Sequence, residues 1–189
     1  MPDDASRPTT TANIAPTAYV HAPSTGEYDH AVARAVTINK PREELYRFWR
    51  DPSNLARVMD NIESIEVIDE HRSHWKVKGP LGRSVEWDSV IIEDTPGEFI
   101  AWHAENADVD NAGWIEFRDG PLGRGTEVRA FISYDPPAGT LGKVVAKVLQ
   151  REPRIQARRE LRRFKQLMET GEIPTSKAPD AAPRADRHV

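Results

Sequence analysis

The 189-residue chain contains no cysteine. The absence of cysteine excludes disulfides, thiolate catalysis and cysteine-ligated metals. It is typical of a cytoplasmic protein. No apolar run approaches the length of a membrane span. The start, with Asp3 and Asp4 in place of basic residues and no apolar stretch behind them, is unlike a secretory signal. We therefore predict a cytoplasmic protein without a membrane span.

Motifs for nucleotide, metal or nucleophile chemistry are also missing. The sequence has no Walker sequence, no GxGxxG, no nucleophile elbow and no zinc-binding helix motif. His71 and His74 are three residues apart, a spacing that places them on opposite faces of a strand and disfavours a metal site. The formal net charge of −4, with no recognised nucleic-acid motif, disfavours nucleic-acid binding. We predict no cofactor, no metal and no nucleic-acid partner.

Both ends of the chain lack the pattern of a packed core. Residues 1–28 and 172–189 are rich in Pro, Ala, Ser and Thr and show no apolar period. Such segments cannot bury enough surface to offset their ordering entropy. We predict two disordered tails around a single domain at residues 29–171, a common size for one hydrophobic core.

What the sequence does contain is a series of strands followed by a helix. Residues 72–134 alternate apolar and charged side chains, as expected for an antiparallel sheet with one covered face. A long helix is predicted from near Leu141, interrupted at Pro153 and capped by Gly171. One of its faces carries Ala157, Leu161, Phe164 and Met168. This order predicts an α+β fold, with a curved sheet and a C-terminal helix around a cavity.

Several short strings resemble a known family. They are Trp87-Asp88, Pro96-Gly97-Glu98, Ile100-Ala101-Trp102, Gly123-Arg124-Gly125-Thr126, Tyr134-Asp135-Pro136-Pro137 and Arg163-Phe164-Lys165. Together they resemble the polyketide cyclase/dehydrase branch of the START/Bet v 1-like superfamily, the SRPBCC proteins, which are related to coenzyme-Q-binding proteins. The resemblance implies a helix-grip fold: one strand, two short helices, the rest of the sheet, then the long helix packed against it.

The earlier part of the chain fits that implied order. Residues 34–39 are typical of a first strand, and Pro41 suits the first turn of a helix. Asp51 or Ser53 could cap a second short helix that runs to Met59. A further strand is predicted at residues 62–68. Both short helices of the helix-grip order are therefore predicted.

The leading functional hypothesis is a binding module or carrier for a small hydrophobic ligand, such as a lipid, a quinone or a polyketide-like molecule. Period-two alternation places three tryptophans on the covered face, and ligand sites are mostly apolar. The predicted cavity residues are Trp49, Trp75, Trp87, Trp102, Tyr134, Leu161 and Phe164. The same rings could instead fill the interior as core.

Two alternatives use other residues. A cyclase, aromatase or dehydratase acting on a polyketide-like substrate needs an acid/base group, for which Tyr134 and Asp88 are weak candidates. Alternation turns Asp88 away from Trp87, whereas Tyr134 has the parity to face inward. The third hypothesis is a protein or peripheral membrane contact through the basic C-terminal helix, whose charge could equally be a solvated face. Oligomeric state is not predicted.

Overall fold

Seven antiparallel strands form a curved sheet in this computed structural model, which describes residues 30–79, 82–135 and 153–173. The strand order is β1-β7-β6-β5-β4-β3-β2. The strands are β1 His30–Ile38, β2 Ile62–Val67, β3 Arg72–Lys78, β4 Ser84–Thr95, β5 Phe99–Glu105, β6 Asp110–Asp119 and β7 Thr126–Asp135. Strands β2 to β7 follow each other as a meander, and β1 joins the sheet beside β7. The predicted α+β helix-grip fold is confirmed.

Two short helical segments connect β1 to β2. Helix α1 spans Arg42–Arg50 and begins directly after Pro41, with acidic residues in its first turn and basic residues in its last. This distribution complements the helix dipole. A 3₁₀ helix spans Pro52–Arg57, and the Asp51 side chain caps it by accepting a hydrogen bond from the Ser53 amide at 3.0 Å. The second short helix is therefore a 3₁₀ helix that ends before the predicted Met59.

The C-terminal helix α2 spans Pro153–Thr170. Gly171 ends it with a φ of 78°, and its amide donates to the carbonyl of Leu167 at 2.8 Å, as the predicted C-cap requires. The predicted helix start near Leu141 lies outside the described residues. The predicted tail at residues 1–28 lies outside them too, as do residues 174–189, so the predicted domain boundaries stay predictions.

The sheet has an inner face, which packs against the helices, and an outer face. Leu161, Phe164 and Leu167 of α2 are buried against the inner face in one hydrophobic cluster. Other members of that cluster are Ile38, Leu45, Phe48, Leu55, Val58, Ile100, Ile115, Phe117 and Val128. All three segments α1, 3₁₀ and α2 contribute to it. The core therefore lies between the inner face and the helices.

A β-bulge in β4 changes which side chains face inward. The register with β5 shifts between Ile91 and Glu93, so that Glu93 pairs with Ala101 and Asp94 pairs with Ile100. Simple alternation from Ile91 would place Asp94 on the outer face. The extra residue instead brings the Asp94 carboxylate to the inner face, beneath α1.

Candidate functional site

A cavity of about 180 Å³ lies between the inner face, α1 and the 3₁₀ helix. That volume holds on the order of a dozen water molecules. Its wall is mostly apolar: Trp49, Leu55, Met59, Ile62, Trp75, Val77, Trp87, Ile91, Ile100, Trp102 and Ile132. A cavity with such a lining favours a hydrophobic ligand over a polar one.

Four tryptophans shape this cavity, and the strand register explains three of them. Trp75 on β3 pairs directly with Trp87 on β4, and Trp102 on β5 pairs with Ile91. The rings of Trp75 and Trp87 stack with centroids 5.9 Å apart and an interplanar angle of 14°. Trp49 comes from α1 and meets Phe164 of α2 edge-on at 5.3 Å. The cavity thus has flat aromatic walls on the sheet side and an aromatic edge from the helix.

Trp102 lies across a glycine. Gly113 on β6 is its cross-strand partner, and a Cβ at Gly113 would lie 2.5 Å from Trp102 Cζ2 and 2.6 Å from the carbonyl oxygen of Phe131. Neither contact is sterically acceptable. Gly113 is therefore required for the indole of Trp102 to lie close to the sheet and form part of the cavity wall.

Few polar groups reach the cavity. The Ser73 hydroxyl already accepts a hydrogen bond from Trp75 Nε1 at 2.9 Å, and Asn111 Nδ2 donates to the carbonyl of Val109 at 3.2 Å. Asn61 Oδ1 differs, because it is buried and has no hydrogen-bond partner among the described residues. An unsatisfied buried acceptor costs about 1–3 kcal/mol. A ligand that donates one hydrogen bond would remove that cost.

An ion pair lies beside the cavity. Arg50 Nε donates to Asp94 Oδ2 at 2.6 Å, and Tyr46 donates its hydroxyl proton to Asp94 Oδ1 at 2.5 Å. Burial and the Asp94 carboxylate raise the pKa of Tyr46 to about 12. A second guanidinium nitrogen of Arg50 donates to the carbonyl of Glu70 at 2.9 Å. Arg50 also lines a neighbouring cleft of about 220 Å³, as do Pro52, Ser73 and Ile91.

The residues predicted for the cavity divide into two groups. Trp49, Trp75, Trp87 and Trp102 line it together. Leu161 and Phe164 lie in the hydrophobic core, with exposed fractions of 4% and 0%. Tyr134 is on the inner face but packs with Val109 and Val85 in a separate small cluster. The structure thus brings the four tryptophans together around one space and places the other three predicted residues outside its lining.

Six polar lining residues are not among those predicted for the cavity: Arg50, Asn61, Ser73, Ser89, Asn111 and Glu160. Three of them had a readable signal. Ser73 and Ser89 lie two residues from Trp75 and Trp87, so strand alternation places them on the same face as those rings. The third is Glu160. It precedes Phe164 by four residues and Leu167 by seven, so helical spacing places it on the apolar face of α2. Nothing in the local pattern distinguishes Arg50, Asn61 and Asn111 from ordinary surface residues.

Asp88, the other weak catalytic candidate, lies on the outer face. Its carboxylate accepts hydrogen bonds from Asn106 Nδ2 at 2.9 Å and pairs with His74 Nδ1 at 2.8 Å. The bond from Asn106, and then the bond from His74, lowers the pKa of Asp88 below its ordinary value. The Asp88 bond in turn raises the pKa of His74. This pair belongs to the outer surface, on the other side of the sheet from the cavity.

The basic residues of α2 are partly engaged within the chain. Arg159 contacts Asp60 at 2.9 Å, and Arg163 pairs with the same carboxylate. Lys165 Nζ lies 2.5 Å from Glu169 Oε1 and donates to a backbone carbonyl of β1. The side chains of Arg158 and Arg162 are exposed. Much of the positive charge of α2 therefore offsets acidic groups of the same chain.

Two features are absent from the described residues. In residues 30–79, 82–135 and 153–173, no group of three or more His, Asp or Glu side chains could hold a metal ion. Over the same ranges, no helix has both the length and the apolar character needed to cross a membrane.

The curved sheet, the C-terminal helix packed against it and the apolar cavity on its inner face define the helix-grip class of proteins. Residues 38–162 match the family model "Polyketide cyclase / dehydrase and lipid transport". The chain therefore belongs to this family. The family assignment agrees with the resemblance noted in the sequence.

The chain is also similar to individual proteins of known structure or sequence. A Deinococcus radiodurans protein of known structure, DR_A0006, is 39% identical and has a TM-score of 0.61; the match covers 76% of this chain and 100% of that one. An uncharacterised 17.2 kDa protein of Streptomyces lincolnensis, from the melC2-rnhH intergenic region, is 27% identical over 86 residues. That match covers 46% of this chain and only 57% of the relative.

One similar structure carries an enzyme name. The ZhuI aromatase/cyclase of Streptomyces sp. R1128 is 16% identical with a TM-score of 0.58, and the match covers 75% of this chain and 97% of that one. At this level of identity the likeness concerns the fold alone, because one fold hosts many functions.

Proposed function

We propose that this protein is a binding module that holds a small, flat, hydrophobic ligand in the tryptophan-lined cavity. The observation that carries the proposal is the stacked pair Trp75 and Trp87 beside Trp102, around a space of about 180 Å³. Aromatic walls favour planar ligands, because ring stacking adds about 0.5–1.5 kcal/mol to the energy of area burial. The ligand would be held by burial between the sheet and the helices.

The polar groups that line the cavity restrict the chemical class of ligand that fits it. Asn61 Oδ1 is a buried acceptor without a partner among the described residues, and it lines the same cavity. A hydroxyl on an otherwise apolar ligand would satisfy it. The proposed ligand is therefore planar and apolar with one hydrogen-bond donor, a description that fits phenolic ring systems and reduced quinones.

The first experiment combines extraction with titration. Organic extraction of the purified protein, followed by mass spectrometry, would identify a retained ligand. Titration with 2-naphthol then tests the cavity directly, with Trp87→Ala as the test variant and Trp114→Ala, which removes an indole outside the cavity, as the matched control. We expect Trp87→Ala to weaken binding by about 10- to 100-fold, since burial of a large side chain contributes about 1.5–3 kcal/mol. Equal affinities in the two folded variants would contradict the proposal.

The role of Asn61 has its own test. Naphthalene has the ring system of 2-naphthol without the hydroxyl, so the unaltered protein should prefer 2-naphthol by about 5- to 10-fold, the value of one hydrogen bond near 1 kcal/mol. Asn61→Leu should abolish this preference without preventing binding. A preference that survives in the variant would rule out Asn61 as the recognition group.

A second candidate function is catalysis of a cyclase or dehydratase type in the same cavity. The observation in its favour is Glu160, a carboxylate from α2 among the lining residues. A carboxylate beside an enolisable substrate can act as a general base. Turnover of a poly-β-ketone that is lost in Glu160→Gln while binding is kept would support this candidate. If the protein binds the same compound without turning it over, the catalytic candidate is excluded and the binding module is retained.

A further inference from the structure

A second space adjoins the tryptophan-lined cavity, namely the neighbouring cleft of about 220 Å³. The two spaces have four wall residues in common: Arg50, Pro52, Ser73 and Ile91. The rest of the cleft is formed by Asp51, Val67 and residues 69–72, which connect β2 to β3. Because so much of the wall is shared, a molecule in the cavity has the cleft directly beside it.

A row of small side chains on the inner face connects the two spaces. Ser73 on β3 pairs directly with Ser89 on β4, and Ser89 pairs with Ala104 on β5. Directly paired residues place their side chains next to each other on one face of a sheet. At the β2 end, Ser73 pairs with Val67, which lies on the edge strand and lines the cleft. We call the row Ser73, Ser89 and Ala104 the serine trough.

Large side chains border the serine trough on both sides. The stacked pair of Trp75 and Trp87 forms the next row in one direction, and the pair of Ile91 and Trp102 forms the next row in the other. Side chains on one face of a strand recur every two residues, about 7 Å apart. The trough is therefore a depression between two walls of large side chains. It runs across the strands from the cavity towards β2, where it meets the cleft.

Ser73 places a hydrogen-bond donor where cavity and cleft meet. It is only 6% exposed and lines both spaces. Its oxygen accepts a hydrogen bond from Trp75 Nε1 at 2.9 Å, but its own hydroxyl proton has no acceptor within residues 30–79, 82–135 and 153–173. A buried donor without an acceptor is unfavourable. An oxygen atom of a ligand at this point would accept the Ser73 proton.

The charged side chains of the cleft favour a neutral polar group over an ion. Arg50 pairs with Asp94 at 2.6 Å, and Arg72 pairs with Glu105 at 3.1 Å. Asp69 accepts two backbone amide protons of its own turn, both at 2.8 Å. Since the cleft has charges of both signs and these are engaged within the chain, an added ion of either sign would meet a like charge nearby. A neutral oxygen-bearing group avoids that repulsion.

We propose that the cavity and the cleft form one elongated site, whose ligand is a flat ring with a short, neutral, oxygen-bearing substituent. This inference rests on the proposed function, because the ring is the part of the ligand that occupies the cavity. The substituent follows the serine trough towards β2, and its oxygen accepts the Ser73 proton. Strands β4 and β2 are two strand spacings apart, about 10 Å, so a substituent of a few atoms reaches the cleft from the ring.

The first test compares ligands on the full-length protein by isothermal titration calorimetry. The ligands are 2-naphthol, the positional isomers of (2-hydroxyethyl)-2-naphthol, and the propyl analogues, which have the same length but no oxygen. At least one hydroxyethyl isomer should bind about 5-fold more tightly than 2-naphthol and than its own propyl analogue, the value of one hydrogen bond. If 2-naphthol binds but no hydroxyethyl isomer binds more tightly, the elongated site is wrong and the proposed function stands. If 2-naphthol does not bind, both proposals fail.

A matched pair of variants then tests whether the substituent occupies the cleft. Val67→Trp fills the cleft from an exposed position, since Val67 is 54% exposed. Glu66→Trp is the control, because Glu66 is the preceding residue, is exposed and pairs with His74 on the outer face. Val67→Trp should remove the 5-fold gain of the hydroxyethyl isomer and leave the affinity for 2-naphthol unchanged, whereas Glu66→Trp should keep the gain. A gain that survives in Val67→Trp, or is lost equally in both variants, would overturn the proposal.

An independent measurement needs no variant and covers the case in which Val67→Trp does not fold. Nuclear Overhauser effects are recorded between the methylene protons of the bound hydroxyethyl group and the valine methyl groups of the unaltered protein. Val67 lines the cleft and not the cavity, and Val77 lines the cavity and not the cleft. Contacts with Val67 are expected. Contacts with Val77 and none with Val67 would place the substituent inside the cavity and overturn the proposal.

Discussion

Gly113→Ala tests whether the cavity wall depends on a glycine. Gly113 does not have a positive φ, so alanine is compatible with its backbone. In open space the change would stabilise the protein by about 0.4–1 kcal/mol, because alanine restricts the unfolded chain. Here the new Cβ would lie 2.5 Å from Trp102 Cζ2 and 2.6 Å from the Phe131 carbonyl oxygen. Overpacking of this kind costs about 1–3 kcal/mol, so the clash should outweigh the gain.

The expected result is a loss of about 1–2 kcal/mol in the free energy of unfolding, measured by urea denaturation. The melting temperature should fall by about 2–8 °C, at about 2–4 °C per kcal/mol for a domain of this size. Trp102 can relieve part of the clash only by moving into the cavity. Gly113→Ala should therefore also weaken binding of 2-naphthol, which separates this mechanism from a general loss of stability.

A double-mutant cycle makes the reasoning refutable. In a Trp102→Ala background the clash with the indole is absent and only the contact with the Phe131 carbonyl remains. Gly113→Ala should then cost about 1 kcal/mol less than it does in the unaltered protein, a coupling typical of residues in contact. The same cost in both backgrounds would refute the proposed dependence of Trp102 on Gly113, and so would a net stabilisation by the single substitution.

Three further predictions concern other contacts. Gly125→Ala should lower the free energy of unfolding by at least about 1 kcal/mol in urea denaturation, because Gly125 has a φ of 68° and a Cβ there would lie 2.1 Å from a backbone oxygen; a neutral effect would contradict this. Tyr46→Phe should cost about 1–2 kcal/mol at neutral pH by removing the bond to Asp94. The pKa of Tyr46 is raised from 10.0 to about 12, so the difference in free energy of unfolding between the two proteins should shrink as the pH rises between those values. A difference that stays constant over that range would contradict this prediction. His74→Gln should cost most below pH 6.5, because the raised pKa of His74 stabilises the folded state there and the effect is lost as the pH rises through that pKa. The melting temperatures of the unaltered protein and of His74→Gln, measured below and above pH 6.5, test this prediction. A larger difference at the higher pH would contradict it.

Period-two alternation was sufficient to predict the shared face of Trp75, Trp87 and Trp102, because a strand without irregularity keeps its side-chain parity. The lining role of these residues depended on more than parity. Tyr134 also has inward parity, yet it lies in a separate cluster, because its position along β7 sets which neighbours it meets. Parity predicts a face of the sheet, whereas the register between distant strands determines the position on that face.

The polar end of the cavity was not predictable from local pattern. Asp94 faces inward because of a bulge after Ile91, and a single extra residue leaves no clear mark in the sequence. Its partners Tyr46 and Arg50 lie more than forty residues earlier in the chain. Alternation would have assigned Asp94 to solvent, so its ion pair with Arg50 beside the cavity could be found only from the structure.

The pairing of β1 with β7 has a consequence for synthesis of the protein. His30 pairs with Tyr134, and Ile38 pairs with Thr126. The first strand can therefore form its hydrogen bonds only after the last strand has been synthesised. Strands β2 to β7 can assemble by successive hairpins as they leave the ribosome, but β1 remains without a place in the sheet until β7 has emerged. Nascent chains arrested before Thr126 would therefore expose both β1 and the open edge of β6, and they are the species that chaperones should recognise.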